Sequence, residues 1–399
     1  MKSKRELNIF QRFFRTEVFS GFILLAAAVL ALALANSDWA DGYHHIWART
    51  LSIGGSNRGF TLTWHQWIND GLMALFFLLV GIEIKRELLV GELSSAKKAA
   101  LPIAGAIGGM VLPALLYFGF NPTGAAARGW GIPMATDIAF ALGALSLVAP
   151  RAPTSVRIFL AALAIVDDMG AVLVIALFYT SDLAFGMLGA AGLTTLGLIV
   201  LNAIGVKKPW PYLVLGIILW YFVHESGVHA TIAGVALAMT LPIRARTNST
   251  EFTSEARASA TVAAPFATFE HALHRFSAFV VMPIFAFANA GVQIGGPLSH
   301  REIALGILAG LLIGKPLGIT AVSWLAIKLG VAEIPRGMSW RLLHGAAWLG
   351  GIGFTMSLFI TMLAFNDLPS IDTAKQAILG GSLLAGLVAT VVLRKSQRF

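Results

Sequence analysis

The chain has 399 residues, of which 57% are hydrophobic and only 12% are charged. A soluble domain carries roughly 25% charged residues, so the composition excludes an ordinary soluble protein and indicates a polytopic protein whose partner is the lipid bilayer. The net charge of +9 comes from short basic clusters between apolar runs. This pattern is typical of membrane topology, and we expect no nucleic acid as a partner. The absence of cysteine excludes disulfides and thiolate metal sites.

The N-terminal region contains two different segments. Residues 1–15 mix basic with aromatic and aliphatic side chains, which predicts a cytoplasmic amphipathic segment on the membrane surface. The apolar run 18–35 ends in small residues, as a signal peptide does. We interpret it as an uncleaved first span, because it exceeds the usual signal length and the rest of the chain is also membrane-like. Residues 16–399 are therefore predicted to form a single transmembrane domain.

Residues 46–63 contain two β-prone segments around a Gly-Gly/Asn turn, which predicts a small extracellular β-hairpin. A two-stranded hairpin is marginally stable alone in water. The segment is therefore either paired with a second copy of the chain or an ordinary ordered loop.

Twelve apolar stretches predict an all-α fold of about twelve transmembrane helices, a crossing requiring about 20 residues. The stretches are 18–35, 66–84, 99–118, 124–146, 155–179, 183–204, 210–223, 228–242, 276–294, 302–327, 340–365 and 376–393. Placing both termini in the cytoplasm puts most of the 29 Lys and Arg residues inside, as the positive-inside rule requires. The cytoplasmic connection 244–275, rich in Ser, Thr and Ala, shows no pattern of a folded domain.

Spans four and eleven contain helix-breaking residues at their centres. Span four has Gly131, Pro133 and Asp137, and span eleven has three glycines within 350–353. In a helix interior Gly costs about 1 kcal/mol and Pro about 3 kcal/mol, so both spans are predicted to be broken. Each is the second span of a triplet, 3–5 or 10–12, and the odd offset between the triplets predicts inverted repeats. Paired interrupted spans are typical of the binding site of a transporter.

Span five carries two adjacent carboxylates, Asp167 and Asp168, in an otherwise apolar run. A charged side chain at the bilayer centre costs at least about 2.5–3.5 kcal/mol, so this pair indicates function more than a structural role. Small hard cations such as Na+ and Li+ prefer oxygen ligands. The two aspartates are therefore predicted to bind a metal cation or a proton, with Thr136 as a neutral ligand.

Two further charges lie beside the breaks. Asp137 and Lys315 are predicted to offset the partial charges at the ends of the half-helices. Lys315 is the only basic residue deep inside a span. A purely structural ion pair is the alternative interpretation of this lysine.

Seven segments resemble the signature segments of the NhaA-type Na+/H+ antiporters: GIPMATDIAFALGAL, ALAIVDDMGAV, FFLLVGIEIKREL, GVHATIAGV, FAFANAGV, GKPLGI and GGIGFTMS. Together they cover essentially the whole chain. The resemblance implies a twelve-span fold with inverted repeats, of which these transporters are themselves a known example. It also implies electrogenic, pH-regulated exchange of Na+ or Li+ for H+ by alternating access across the bacterial inner membrane, without a cofactor. A homodimer joined partly through the 46–63 hairpin is implied as well.

The resemblance assigns roles to individual residues. Asp168 is the central ion ligand, Asp167 is its partner, and Lys315 pairs with Asp167 and takes part in proton exchange. Asp70 is predicted to line the passage. Regulation by pH is assigned to the charged end of span two and the residues facing it: Glu83, Lys85, Arg86, Glu87, Glu270, His271 and His274, with an influence of His229. A solvated helix end is the alternative interpretation of this group.

Other classes of function fit the sequence less well. An intramembrane aspartyl protease using Asp137 and Asp168 is the alternative, but it requires two carboxylates that face each other. A metal-dependent prenyl or phosphatidyl transferase needs repeated Asp clusters, which the chain lacks. A passive channel does not require a buried lysine. We therefore expect a transporter rather than an enzyme.

Overall fold

The computed structural model describes residues 9–53, 60–180, 183–245, 260–262, 264–295 and 299–396. Most of this part of the chain is helical, as predicted. Its α-helices are, in chain order, α1 Ile9–Ala35, α2 Ala40–Ala48, α3 Trp64–Gln66, α4 Met73–Val90, α5 Ala96–Phe120, α6 Ile138–Val148, α7 Thr154–Phe178, α8 Phe185–Ala203, α9 Pro209–Glu225, α10 Ile232–Thr240, α11 Ala264–Phe276, α12 Met282–Asn289, α13 Arg301–Ala309, α14 Lys315–Lys328, α15 Trp340–Gly350, α16 Phe354–Ala364 and α17 Leu368–Ser396.

Short segments of π-helix and 3-10 helix continue several of these helices. The π segments are Trp67–Leu72, Ser277–Val281 and Gly310–Gly314. Such segments are rare and often lie at functional sites. The first contains Asp70, and the third directly precedes Lys315. The 3-10 segments are Glu92–Ser94 and Ala125–Met134.

Membrane-spanning helices can be counted within the described residues. Seven helices are long and apolar enough to cross a bilayer, and ten spans result if each of three bent helix pairs counts as one. Two predicted spans correspond to the shorter α9 and α10, and α10 is only about 14 Å long at its nine residues. The structure thus confirms a polytopic helical fold but not the number twelve. Of the predicted N-terminal segment 1–15, residues 1–8 lie outside the described residues, and α1 contains the others.

The chain divides into two compact units. The first unit contains Met1–Leu30, Leu101–Asp167 and Ile294–Phe399, and the second contains Ala31–Ala100 and Asp168–Gln293. Each unit has its own fully buried aromatic side chains, which include Tyr117 and Phe359 in the first and Phe77, Tyr212 and Phe285 in the second. One boundary between the units lies within α7, between Asp167 and Asp168.

In the first unit, α5 and α14 pack backbone against backbone. A Cβ atom added at Gly108 would lie 2.1 Å from the carbonyl oxygen of Gly318. Small residues permit such close approach of helices within membranes. Because α14 begins at Lys315, this contact helps to fix the position of the buried lysine.

The predicted hairpin is present but shorter than expected. Strand β1 (Thr50–Ile53) pairs antiparallel with strand β2 (Phe60–Thr63), and residues 54–59 lie outside the described part. The prediction was wrong for residues 46–48, which belong to α2. There the rings of Tyr43 and Trp47 pack on Phe287 at centroid distances of 5.7 and 5.6 Å, and this packing overrides the local β propensity.

The connection 244–275 contains more regular structure than the sequence suggested. Strand β3 (Ile243–Ala245) pairs with strand β4 (Ala260–Val262), and α11 begins at Ala264, ahead of the span predicted to start at residue 276. Residues 246–259 and 263 lie outside the described part. The buried Phe266 contacts the ring of Tyr212, with centroids 5.5 Å apart. The apolar side of α11 thus forms part of the core of the second unit.

Candidate functional site

Two broken helices meet in the first unit. The 3-10 segment Ala125–Met134 and α6 are bent by 43° to each other, and α15 and α16 are bent by the same angle. Both predicted interruptions are therefore present. At the crossing, the backbone N–H of Asp137 donates to the carbonyl oxygen of Ile352 over 2.7 Å. Each break thus supplies part of the hydrogen bonding that the other helix lacks, as non-helical backbone at membrane depth requires.

Asp137 lies at the positive ends of two half-helices. It is the N-cap of α6, where Oδ1 accepts from Phe140 N at 3.0 Å. Its Oδ2 accepts from the backbone N–H of Thr355 at 3.2 Å and from the Thr355 hydroxyl, both in the first turn of α16. Helix N-termini carry positive partial charge that favours a carboxylate. The offsetting of helix ends by Asp137 stays a prediction, and these contacts place its carboxylate at the two helix ends concerned.

Asp167, Lys315 and Thr136 form a buried polar cluster. The Lys315 ammonium donates to Asp167 Oδ2 and, over 2.8 Å, to Thr136 Oγ1. The Thr136 hydroxyl lies 2.5 Å from Asp167 Oδ2 and 2.9 Å from the carbonyl oxygen of Gly350. Because a hydroxyl has one proton, it donates to only one of these two acceptors at a time. The side chains of Lys315 and Asp167 are both fully buried.

The structure thus brings together three residues that are far apart in the sequence. Lys315 contacts the carboxylate of Asp167 and the hydroxyl of Thr136, and its predicted effect on the ends of the half-helices stays a prediction. Asp167 Oδ1 accepts no hydrogen bond from the described residues. The cluster therefore retains an acceptor that can take a proton or contact a cation.

Asp168 follows Asp167 in α7 and is also buried. Successive residues on a helix point about 100° apart, so the two carboxylates face different surroundings. They also belong to different compact units. Among the described residues, no group of three or more His, Cys, Asp or Glu side chains has the arrangement of a metal site.

A second cluster in the second unit surrounds Asp70. Its carboxylate lies 3.5 Å from His229 Nε2 and 3.8 Å from His224 Nδ1. The His224 ring stacks on Trp220, whose indole N–H donates to the backbone oxygen of Asp70 over 2.9 Å. Asp70 and His229 were predicted separately, and His224 was missed. The close spacing of the two histidines in HESGVH was the available signal.

The predicted regulatory group is only partly assembled. Arg86 pairs with Glu270 over 3.1 Å, and His274 lies 3.5 Å from Glu83, so two contacts join α4 to α11. The other members have other surroundings: Lys85 donates to the backbone oxygens of Met239 and Leu241, Glu87 accepts from Glu92 N, and His271 is exposed. His229 belongs to the Asp70 cluster instead.

Apolar spans, two crossed broken helices and a buried carboxylate–lysine pair define a membrane transporter of the secondary type. Comparison with known proteins narrows this class. Residues 11–393 match the family described as Na+/H+ antiporter 1.

Curated relatives agree with the family match. An Na+/H+ antiporter NhaA of Oleidesulfovibrio alaskensis is 45% identical over 96% of this chain and 93% of its own length. That of Acidithiobacillus ferrooxidans is 46% identical over 98% of both chains. That of Rhizobium etli is 49% identical over 97% and 96%. The chain belongs to the NhaA family of Na+/H+ antiporters, which confirms the resemblance seen in the sequence. The family consists of transporters, which confirms that the chain is not an enzyme.

Proposed function

We propose that this antiporter exchanges Na+, or Li+, for H+ by competition of the two ions for Asp168 and Asp167. Exchange of Na+ for H+ follows from the family. The competition is supported by the full burial of the Asp167–Lys315 pair beside the crossed breaks. One carboxylate cannot hold a proton and bind a cation through the same charge, so each release permits the other ion to bind.

The surroundings of the site give each residue a task in this scheme. The Asp167 carboxylate has one oxygen committed to Lys315 and Thr136, whereas Oδ1 remains available to a proton or a cation. When a cation binds, the Lys315 ammonium competes with it for Asp167, so Lys315 takes part in the proton exchange. We propose electrogenic exchange, because two carboxylates that each give up a proton for one shared monovalent cation move a net charge across the membrane. Thr136 supplies a neutral oxygen, and Asp137 stabilises the helix ends.

The proposed membrane orientation rests on the distribution of charge, and the proposed passage and pH regulation rest on contacts within the second unit. The distribution of Lys and Arg supports an inner-membrane protein with both termini in the cytoplasm. We place Asp70 in the passage for ions, and we assign pH regulation to the α4–α11 contacts and an influence on it to His229. The offset between the span triplets 3–5 and 10–12 supports alternating access through inverted repeats. The hairpin is the proposed contact in a homodimer.

Reconstitution into proteoliposomes tests the proposal. A fluorescent dye reports collapse of an imposed pH gradient when Na+ or Li+ is added. Asp168→Asn and Asp167→Asn should each abolish coupled exchange. Asp367→Asn is a matched control, because it removes a carboxylate charge from an exposed N-terminal helix position while retaining an oxygen that can accept from Ser370 N. Full exchange by Asp168→Asn would refute the assignment.

The protease alternative gains no support from the geometry. Asp137 Oδ1 and Oδ2 are both committed to the N-termini of α6 and α16. Protein-dependent turnover of a transmembrane peptide in the same proteoliposomes would nevertheless reveal such an activity.

A further inference from the structure

A hydrogen-bonded relay in the first unit lies outside the residues used so far. His344, on α15, accepts at Nε2 from the indole N–H of Trp348 over 3.0 Å. Its Nδ1 lies 2.9 Å from the hydroxyl of Thr320, on α14. The Thr320 hydroxyl in turn lies 2.6 Å from the backbone oxygen of Pro316. The relay therefore joins α15 to the first turn of α14.

These contacts define one tautomer of the imidazole. An indole N–H can only donate, so Nε2 of His344 must be the unprotonated acceptor. A neutral ring then carries its proton on Nδ1 and donates it to Thr320, whose own proton is given to the oxygen of Pro316. Every donor in the relay thus has an acceptor.

Both ends of the relay lie beside the exchange site. Pro316 directly follows Lys315, and Trp348 is two residues from Gly350, whose oxygen contacts Thr136. The same two helices are thus joined twice, at the ion site by Thr136 and in the relay by His344.

We infer that neutral His344 is a positioning residue for the exchange site: Trp348 holds the ring so that Nδ1 donates to Thr320 and joins α15 to α14, and a proton on Nε2 frees the ring from Trp348. With both ring nitrogens protonated, the Trp348 N–H faces a second donor and its hydrogen bond is lost. The ring is then no longer held in the orientation that joins α15 to α14, and the exchange site is loosened in acid without a proton on either aspartate. This inference rests on the proposed function of the Asp167–Lys315 site.

The charges around α15 are few. Among the described elements packed against it, α6 has none within its length and Asp137 at its N-cap. Leu393 of α17 packs against Gly345, which follows His344, so the basic end of α17 lies nearest. The charged groups on α15, α14 and α17 are Arg341, Lys315, Lys328, Asp372, Lys375, Arg394 and Lys395.

Four variants separate the two hydrogen bonds. Trp348→Phe removes the indole donor and keeps an aromatic ring, and Thr320→Val removes the hydroxyl whereas Thr320→Ser keeps it. His344→Gln offers Trp348 an amide oxygen that does not titrate. Thr390→Val is a matched control, because Thr390 makes the same bond to the backbone of its own helix, 2.8 Å to the Gly386 oxygen.

Exchange in proteoliposomes over a pH series is the first measurement. Trp348→Phe and Thr320→Val should raise the KM for Na+ about threefold to tenfold, the size expected for one lost hydrogen bond, with kcat changed less. Thr320→Ser and Thr390→Val should stay within about twofold of the parent. His344→Gln should retain exchange to lower pH than the parent. The inference would be overturned if all relay variants had the same KM and kcat as Thr390→Val and the same loss of exchange on the acid side of the pH profile.

The histidine tautomer is the second measurement and does not depend on transport. Nitrogen NMR of histidine-labelled protein, with the His344 signals identified by their loss in His344→Gln, should show a protonated Nδ1 and an unprotonated Nε2 at alkaline pH. A protonated Nε2 there would contradict the relay. Persistent exchange by Asp168→Asn would instead refute the proposed function, so the two failures are distinguishable.

Discussion

Ion pairs in the two units differ mainly in their access to water. Lys315 and Asp167 of the first unit are fully buried, whereas Arg86 of the second unit is 56% exposed and its partner Glu270 is 14% exposed. Breaking a buried pair typically costs about 3–5 kcal/mol, because the remaining charge has no partner. An exposed pair is typically worth about 0–1 kcal/mol. Loss of one partner is therefore expected to matter far more for the buried pair of the first unit than for the exposed pair of the second.

The charge of Asp137 should have the largest effect on exchange. Asp137→Asn keeps an acceptor for Phe140 N but removes the negative charge at two helix N-termini, and we expect exchange to fall about tenfold. Asp137→Lys adds a positive charge there, which should lower exchange at least about a hundredfold. This corresponds to an increase of about 2.7 kcal/mol or more in the activation free energy. The measurement is Na+-driven proton flux in proteoliposomes at matched protein content. Equal flux in both variants would remove the electrostatic role.

Removing one partner should lower the free energy of unfolding much more for the ion pair of the first unit than for that of the second. Lys315→Ala leaves Asp167 buried without its ammonium, and the free energy of unfolding should fall by about 3–5 kcal/mol. Arg86→Ala leaves Glu270 near solvent and should cost no more than about 1 kcal/mol. Thermal unfolding of the two purified variants in detergent compares them. Similar losses would show that burial does not separate the pairs.

The Glu83–His274 contact should affect the pH profile more than the maximum rate. Imidazole gains its charge as pH falls through the neutral range, so its attraction to Glu83 is present in acid and lost in alkali. His274→Gln removes this change, and we expect the exchange profile to move about half a pH unit while its maximum stays within about twofold. Glu83→Gln should act in the same direction. An unchanged profile in both variants would leave the contact structural.

The hairpin should affect exchange least. Replacing residues 51–59 by three glycines keeps Trp47 and Phe60, which pack on the rings of other residues of the second unit. The proposed dimer should weaken, whereas exchange per protomer should stay within about twofold, because the proposed ion site lies elsewhere in the chain. Light scattering and flux measured on one preparation test both parts. Loss of exchange in a correctly inserted monomer would contradict this separation.

Much of the site was predictable because its residues violate the rules of apolar helices. Adjacent acids in span five and a lysine in span ten are costly in lipid, and clustered glycine and proline are costly in the interior of a helix. Their partners were less accessible to sequence reasoning. Thr355 lies 218 residues from Asp137, and nothing local to either residue indicates the contact.

The errors in the fold have a similar cause. Residues 46–48 have β-prone neighbours, but packing of α2 on Phe287 makes them helical. The early start of α11 depends on burial of Phe266 against Tyr212, another contact between distant segments. Local propensity is a weak guide wherever tertiary packing decides.

Competition of Na+ and H+ for the same carboxylates is the central claim, and calorimetric titration of Na+ into the purified protein over a pH series tests it most directly. The Kd should rise by up to about tenfold for each pH unit below the titration of the site, if one proton is displaced, and Asp168→Asn should show no binding. A Kd that stays constant through the acid range, with exchange intact, would show that the ions use separate sites.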